Sequence, residues 1–201
     1  MSRDQDTEQR IFEAAQAVFH EQGFDGARMA DIARRAQINS SMLHYYFRSK
    51  ELLFEAVFRK AAMEVVSPAL SVLAEDMPLL EKLDRFVTAY VKALATNPHL
   101  PAFVLHELRR NPDALRRFAG ETAGGVFARF SGDVRRAVAD GHIRAVEPEQ
   151  LIANLMGLCV FPFIARPMLQ TALGLSETSY DDLLAARADH VRSFIHQALR
   201  P

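Results

Sequence analysis

Apolar residues recur every three or four positions along nearly the whole chain, and no stretch alternates with the period of a strand. Ile11, Ala14, Ala15, Val18 and Phe19 form the first stripe, and Gly23 is placed to end that helix. A helix over roughly 6–22 follows, with Phe24 expected to fold back on it. Met29, Ile32, Ala33 and Ala36 make a second, shorter stripe, and Gln37-Ile38 forms a turn. Asn39 is a good N-cap for a third helix over 40–46, because its side-chain oxygen accepts from the amides of the first turn. Two short helices joined by a tight turn make a helix-turn-helix. Ser49 caps a fourth helix carrying Leu52, Leu53, Ala56, Val57, Ala61 and Val65, with Pro68 as a point of bending.

Long helices with short breaks follow. Pro78 opens one through Leu83, Phe86, Val87, Tyr90, Val91 and Leu94, and Asn97-Pro98 breaks it. A short helix holds Phe103, Val104 and Leu108. A long one over 113–140 contains Gly124-Gly125, a soft point or a place of close helix approach. Pro148 opens a helix with Leu151, Leu155, Leu158, Cys159 and Pro162 on one face, and Pro162 and Pro167 kink or finish it. The last helix carries Leu183, Leu184, Val191, Phe194, Ile195 and Ala198. The pattern predicts an all-α chain with a small head over residues 1–50 and a larger helical body over 51–201.

Composition narrows the class. With 49% apolar residues in 201, the chain has enough material for a sizeable core. Its 24 Lys and Arg against 25 Asp and Glu leave a net charge of -1, so any nucleic-acid surface must be local. Such a region exists: residues 26–50 hold Arg28, Arg34, Arg35, Arg48 and Lys50 against Asp31 alone, whereas residues 1–25 are acidic. The single cysteine, Cys159, excludes an intrachain disulfide and fits a reducing compartment. The polar N-terminus lacks the apolar run of a signal peptide, and no uncharged apolar run reaches the roughly 18 residues of a membrane span. These features predict a cytoplasmic protein with no membrane contact.

The segments I-F-E-A-A-Q-A-V-F-H-E-Q-G-F-D (11–25) and M-A-D-I-A-R-R-A-Q-I-N-S-S-M-L-H-Y-Y-F-R-S-K-E-L-L (29–53) closely resemble the N-terminal domain of the TetR family of bacterial transcriptional regulators. Ile11, Ala14-Ala15, Phe19, Gly23-Phe24, Asp31-Ile32-Ala33, Ala36, Leu43, Tyr46-Phe47, Ser49-Lys50-Glu51 and Leu53 stand where the family pattern expects such residues. The resemblance implies a nine-helix fold and a homodimer on a pseudo-palindromic operator, usually acting as a repressor. It also implies release by a small-molecule effector bound in the body. Two departures matter. Arg28 stands where a serine or threonine commonly meets a phosphate, and Gln37 replaces the usual turn glycine, which predicts a strained backbone.

A recognition helix turns its N-terminal residues to base edges. Ser40, Ser41 and Met42, with Tyr45 one turn on, are the base readers. Arg28, His44, Tyr46 and Lys50 are the phosphate candidates, and Asn39 holds the helix start. Serine discriminates bases weakly and Met42 offers only apolar contact, so direct readout is modest. In the body, Phe86, Tyr90, Phe103, His106, Phe127, Met156, Cys159 and Phe163 are the candidates to line a largely apolar effector pocket, with Tyr90 and His106 as polar handles; each also fits a plain core role. Leu151, Leu155, Leu158, Leu184, Val191, Phe194 and Ile195 on the last two helices are expected to pair with their copies across a two-fold axis.

Enzymatic readings find no support. His106-Glu107 and His20-Glu21 begin like a zinc-protease motif, but Arg110 and Phe24 stand where the second histidine belongs. There is no phosphate-binding glycine loop and no metal-ligand spacing, so no cofactor or metal is expected. The competing possibility is a helical small-molecule-binding or scaffold protein whose head does not bind DNA.

Overall fold

The structure is a computed structural model that describes residues 3–98, 100–102, 104 and 112–201. Among the described residues every regular element is a helix. The internal contacts divide the chain into two units, Met1–Ala62 and Met63–Pro201.

In the first unit, α1 (Arg3–Gly26) is broken at Gly23, whose φ of 68° and ψ of 176° suit only glycine. The break turns Phe24 back onto its own helix, stacked on Phe19 with ring centroids 6.2 Å apart. Phe54 of α4 (Lys50–Ala74) meets both rings edge-on, at 4.9 Å from Phe19 and 5.0 Å from Phe24. Three aromatic rings thus tie the first helix to the fourth, an arrangement worth something beyond area burial alone. Around them lie Ile11, Ala15, Val18, Ile32, Leu43, Leu53 and Val57, all buried.

Between these helices sit α2 (Met29–Arg35) and α3 (Ser40–Tyr46). The α2 end closes with two bonds: the Ile38 N–H donates to the Ala33 carbonyl and the Gln37 N–H to that of Arg34. That pattern requires a left-handed residue at position 37. Gln37 adopts it with φ 56°, the strained backbone expected from its replacement of glycine. Asn39 then caps α3, its Oδ1 accepting from the Met42 N–H at 2.7 Å. Ser49 caps α4 in the same way, accepting from the Leu52 N–H.

In the second unit, the amphipathic α5 (Leu79–Thr96) buries Leu83, Phe86, Val87, Tyr90, Val91 and Leu94 at three- and four-residue spacing. It packs on α6 (Pro112–Ala139), α7 (Pro148–Ile164) and α10 (Arg187–Leu199); α8 (Arg166–Leu173) and α9 (Glu177–Ala185) lie between the last two in the chain. Pro68 is accommodated inside α4. The helix α6 runs through Gly125 unbroken, and a Cβ there would meet nothing within 4 Å, so no neighbouring helix approaches that glycine closely. Of the helix expected to hold Phe103, Val104 and Leu108, only Val104 is among the described residues, and it is helical.

The described helices already number ten, not nine, because the last two expected helices are each divided. α7 and α8 meet at Ala165 at an angle of 78°, with Pro167 in the first turn of α8, where a missing N–H costs nothing. α9 and α10 meet at Ala186. Pro162 sits inside α7 and lacks the N–H that would bond the Leu158 carbonyl. The Arg187 guanidinium supplies the missing donors, through Nε at 3.0 Å and a terminal nitrogen at 2.8 Å. The Pro162 carbonyl, stranded by the break at Ala165, accepts from the wholly buried Tyr180 hydroxyl at 2.6 Å. Arg166 covers the Tyr180 ring and pairs with Glu177 and Asp181. Among the described residues no single helix is long and apolar enough to cross a membrane.

Candidate functional site

The head presents α3 as a short helix with one face held and the other bare. Leu43 is fully buried, and Phe47 at the α3 end meets Phe12 of α1 edge-on at 5.7 Å. On the other side Asn39, Ser40, Ser41, Met42, His44 and Tyr45 are exposed. Tyr45 is 84% exposed and Met42 42%, values that no core role explains for side chains of this size. The four residues expected to read bases are therefore brought together on one accessible surface. Asn39 has its side-chain oxygen engaged in the cap.

The phosphate candidates divide. The side chain of Arg28, immediately before α2, is exposed and forms no ion pair or hydrogen bond among the described residues, while its carbonyl accepts from the Asp31 and Ile32 N–H groups. His44 is exposed, and Tyr46 is half-buried beside Tyr45, with ring centroids 5.6 Å apart. Lys50 is turned inward instead. Its ammonium donates to the Phe24 carbonyl at 2.9 Å and the Ala27 carbonyl at 3.1 Å, and lies 4.4 Å from the centre of the Phe24 ring. The cause is the end of α1 at Gly26, which leaves these carbonyls without helical donors. Arg34 and Arg35 are paired with Asp31 and Glu21. Arg48, exposed and unpaired among the described residues, was not singled out by the sequence; its only signal was its place directly after the aromatic triad.

Within the second unit, a cavity of about 60 Å³ is lined by Val66, Ala69, Leu70 and Leu73 of α4, Phe86 and Tyr90 of α5, Phe127 and Phe130 of α6, and Ile152, Leu155 and Met156 of α7. Its wall is apolar throughout, so Tyr90 contributes its ring and not its hydroxyl. Burial raises the Tyr90 hydroxyl above its ordinary range. Of the expected lining residues, Phe86, Tyr90, Phe127 and Met156 are brought together. Cys159 and Phe163 are buried in α7 but do not reach the cavity, and Phe103 and His106 lie outside the described residues. Burial pushes the Cys159 thiol up to about 12, so it is protonated and inert at neutral pH. The four α4 residues went unassigned because a long helix with apolar residues on several faces gives no sign of which face meets a void.

The expected dimer contacts differ in their exposure within the protomer. Leu151, Leu155, Val191 and Ile195 are buried by the protomer's own helices, and Leu155 lines the cavity. Leu158 and Leu184 are half-buried. Phe194 is 58% exposed, and Phe161 and Met156 of α7 are exposed as well. Helical periodicity marks an apolar stripe but not what covers it.

Comparison with known proteins agrees with this architecture. The profile described as bacterial regulatory proteins, tetR family, matches residues 11–57. A second profile, a tetracyclin repressor-like C-terminal domain, matches residues 80–195, more than half of the chain. The transcriptional regulator RutR of Escherichia coli K12 is 25% identical over 193 residues, covering 95% of this chain and 89% of RutR. The transcriptional repressor NicS of Pseudomonas putida is 35% identical over 129 residues, 59% of this chain and 58% of NicS. Among solved structures, the Bacillus subtilis regulator FadR in complex with stearoyl-CoA shares the fold, with a TM-score of 0.69 at 18% identity, covering 96% of this chain and all of that one. With a helix-turn-helix head and a helical body both matched, the chain belongs to the TetR family of bacterial transcriptional regulators.

Proposed function

We propose that the protein is a cytoplasmic repressor that binds a pseudo-palindromic operator as a homodimer and is released by a largely apolar small molecule held in its body. One observation carries the switching part. The same continuous helix, α4, supplies head core through Leu53, Phe54 and Val57, and cavity wall through Val66, Ala69, Leu70 and Leu73. The cavity's 60 Å³ is far below the roughly 300–1,000 Å³ of ligand sites. A ligand therefore has to part the walls, α4 among them, and that requirement gives the two states different affinities for it. Ser40, Ser41, Met42 and Tyr45 read bases, and the exposed Phe161 and Phe194 contribute to the contact between copies. Two copies set recognition helices about 34–36 Å apart, one turn of DNA.

An acyl chain suits an apolar wall, and the FadR structure holds stearoyl-CoA. The test is fluorescence anisotropy with a labelled duplex from the region upstream of the protein's own gene, titrated with acyl-CoAs of increasing length. The expected result is a specific complex that dissociates as the chain lengthens. Ala69→Phe, which fills the cavity, should keep DNA binding and abolish release. Acyl-CoA that binds, by calorimetry, without changing operator affinity would remove the coupling. A folded protein with no specific complex at low salt would favour the ligand-binding protein with a silent head.

A further inference from the structure

Resting on the reading that the body holds a largely apolar effector, we infer that Lys82 receives a single carboxylate of that effector, so the molecule the body fits is an aliphatic acid. The cavity wall is apolar throughout, but one end of it abuts a buried charge. Leu73 lines the cavity, and its carbonyl accepts from the Lys82 ammonium at 3.3 Å. Lys82 lies one turn before the cavity residue Phe86 on α5, and Asp133 about one turn after the cavity residue Phe130 on α6. Three of the helices that wall the cavity thus converge on one ammonium. It is 1% exposed and pairs with Asp133 at 2.5 Å.

Stability alone does not account for the pair. Withdrawing two charges from water offsets most of their attraction, and an apolar pair of similar volume holds such a junction about as well. The two partners are also unequally supplied. Asp133 has a second cation, Arg136, on its solvent side, and the Arg136 side chain is 72% exposed. Asp133 can release Lys82 and keep a partner. Lys82 has no second anion among the described residues, since its other acceptor is the neutral Leu73 carbonyl. A molecule that enlarges the cavity at this end parts α5 from α6, and so Lys82 from Asp133. A wholly apolar molecule would leave the ammonium buried without an anion, which is strongly unfavourable. A molecule ending in a carboxylate takes the place of Asp133 on Lys82, while Asp133 stays with Arg136, and the buried charge remains balanced. One ammonium balances one negative charge, which a carboxylate supplies and a phosphate monoester, at nearly two, exceeds. The apolar remainder of the wall requires that the rest of the molecule be hydrocarbon.

The test is calorimetric titration of the full chain with decanoate and with decanol, which share a chain and differ at one end. Wild type should prefer decanoate by about ten-fold or more, as one hydrogen bond to a charged group provides. Lys82→Met should abolish that preference and bind decanol at least as tightly as wild type does. Asp133→Asn leaves no carboxylate competing for Lys82, so it should bind decanoate several-fold more tightly than wild type and decanol equally well. A purely structural pair would shift both ligands together. Folding is checked by circular dichroism, and Lys82→Met combined with Asp133→Leu replaces the single variant should that one not fold. Equal binding of the two ligands by wild type, a decanoate preference kept without Lys82, or an Asp133→Asn variant that shifts both ligands alike would overturn the assignment and leave the apolar-effector reading standing. Failure of folded wild type to bind either ligand would overturn that reading, and this inference with it.

Discussion

Arg187→Met offers the most direct check on how the body is held. Pro162 has no N–H, so the Leu158 carbonyl inside α7 has no helical partner, and Arg187 donates to it twice, at 2.8 and 3.0 Å. Methionine keeps the aliphatic stem and removes both donors. A hydrogen bond from a charged donor contributes about 1.5–3 kcal/mol, and a buried carbonyl left unpaired costs about 1–3 kcal/mol. The expected loss is therefore about 2–3 kcal/mol. The cause can be isolated, because Pro162→Ala restores a main-chain N–H aimed at the same carbonyl. In that background Arg187→Met should cost only about 0.5–1 kcal/mol, which leaves a coupling of about 1.5–2 kcal/mol. The assay is urea unfolding of the four proteins of the cycle at one fixed protein concentration, since association between copies would otherwise shift the midpoints. Additivity of the two substitutions to within about 0.5 kcal/mol would refute the claim that Arg187 substitutes for the proline's missing donor.

Three other outcomes are expected. Gln37→Gly should stabilise the head by about 0.5–1 kcal/mol, since relief of the left-handed strain at φ 56° outweighs the added chain entropy; a lowered unfolding midpoint would contradict this. Lys82 is 1% exposed and donates to Asp133 at 2.5 Å and to the Leu73 carbonyl. Asp133 keeps a second partner in Arg136, so Lys82→Met should cost about 1–3 kcal/mol through the lost charged hydrogen bond, whereas Lys82→Met with Asp133→Leu should return to within about 1 kcal/mol of wild type, as measured by denaturant midpoints. The Cys159 thiol is raised by burial from 9.0 to about 12, so between these values the unfolded chain loses a proton that the folded one keeps. The stability of wild type relative to Cys159→Ala should then be constant below pH 9 and fall by about 1.4 kcal/mol per pH unit above it, as urea titrations from pH 7 to 10.5 would report. A difference that stays level over that range would contradict the burial of the thiol.

The head was legible at the level of single residues because its information is local. Capping, turn chemistry and the three-to-four periodicity act within a few positions of the chain. Asn39 therefore announces the start of α3, Gln37 the strained turn, and Gly23 with Phe24 the folded-back end of α1. Charge was legible only as a count. Five cations in sequence became two free ones in space, because whether Lys50 faces a phosphate or a carbonyl depends on where α1 ends, 24 residues earlier.

The body shows the same limit more strongly. Its apolar stripes specified helices and the all-α class, since a buried helical face must repeat at the helical period whatever it packs against. That period is blind to the partner. It could not say that Leu155 and Ile195 are covered within the protomer, that α4 lends four side chains to a cavity, or that Tyr90 shows the void only its ring. Nor could it foresee that Pro162 would be tolerated inside α7, because the compensating Arg187 lies 29 residues from the carbonyl it serves. The sequence determined which segments are helices, where they start and which family they belong to. Only the tertiary structure decided which polar groups satisfy one another and which remain free for DNA, because both depend on neighbours distant along the chain.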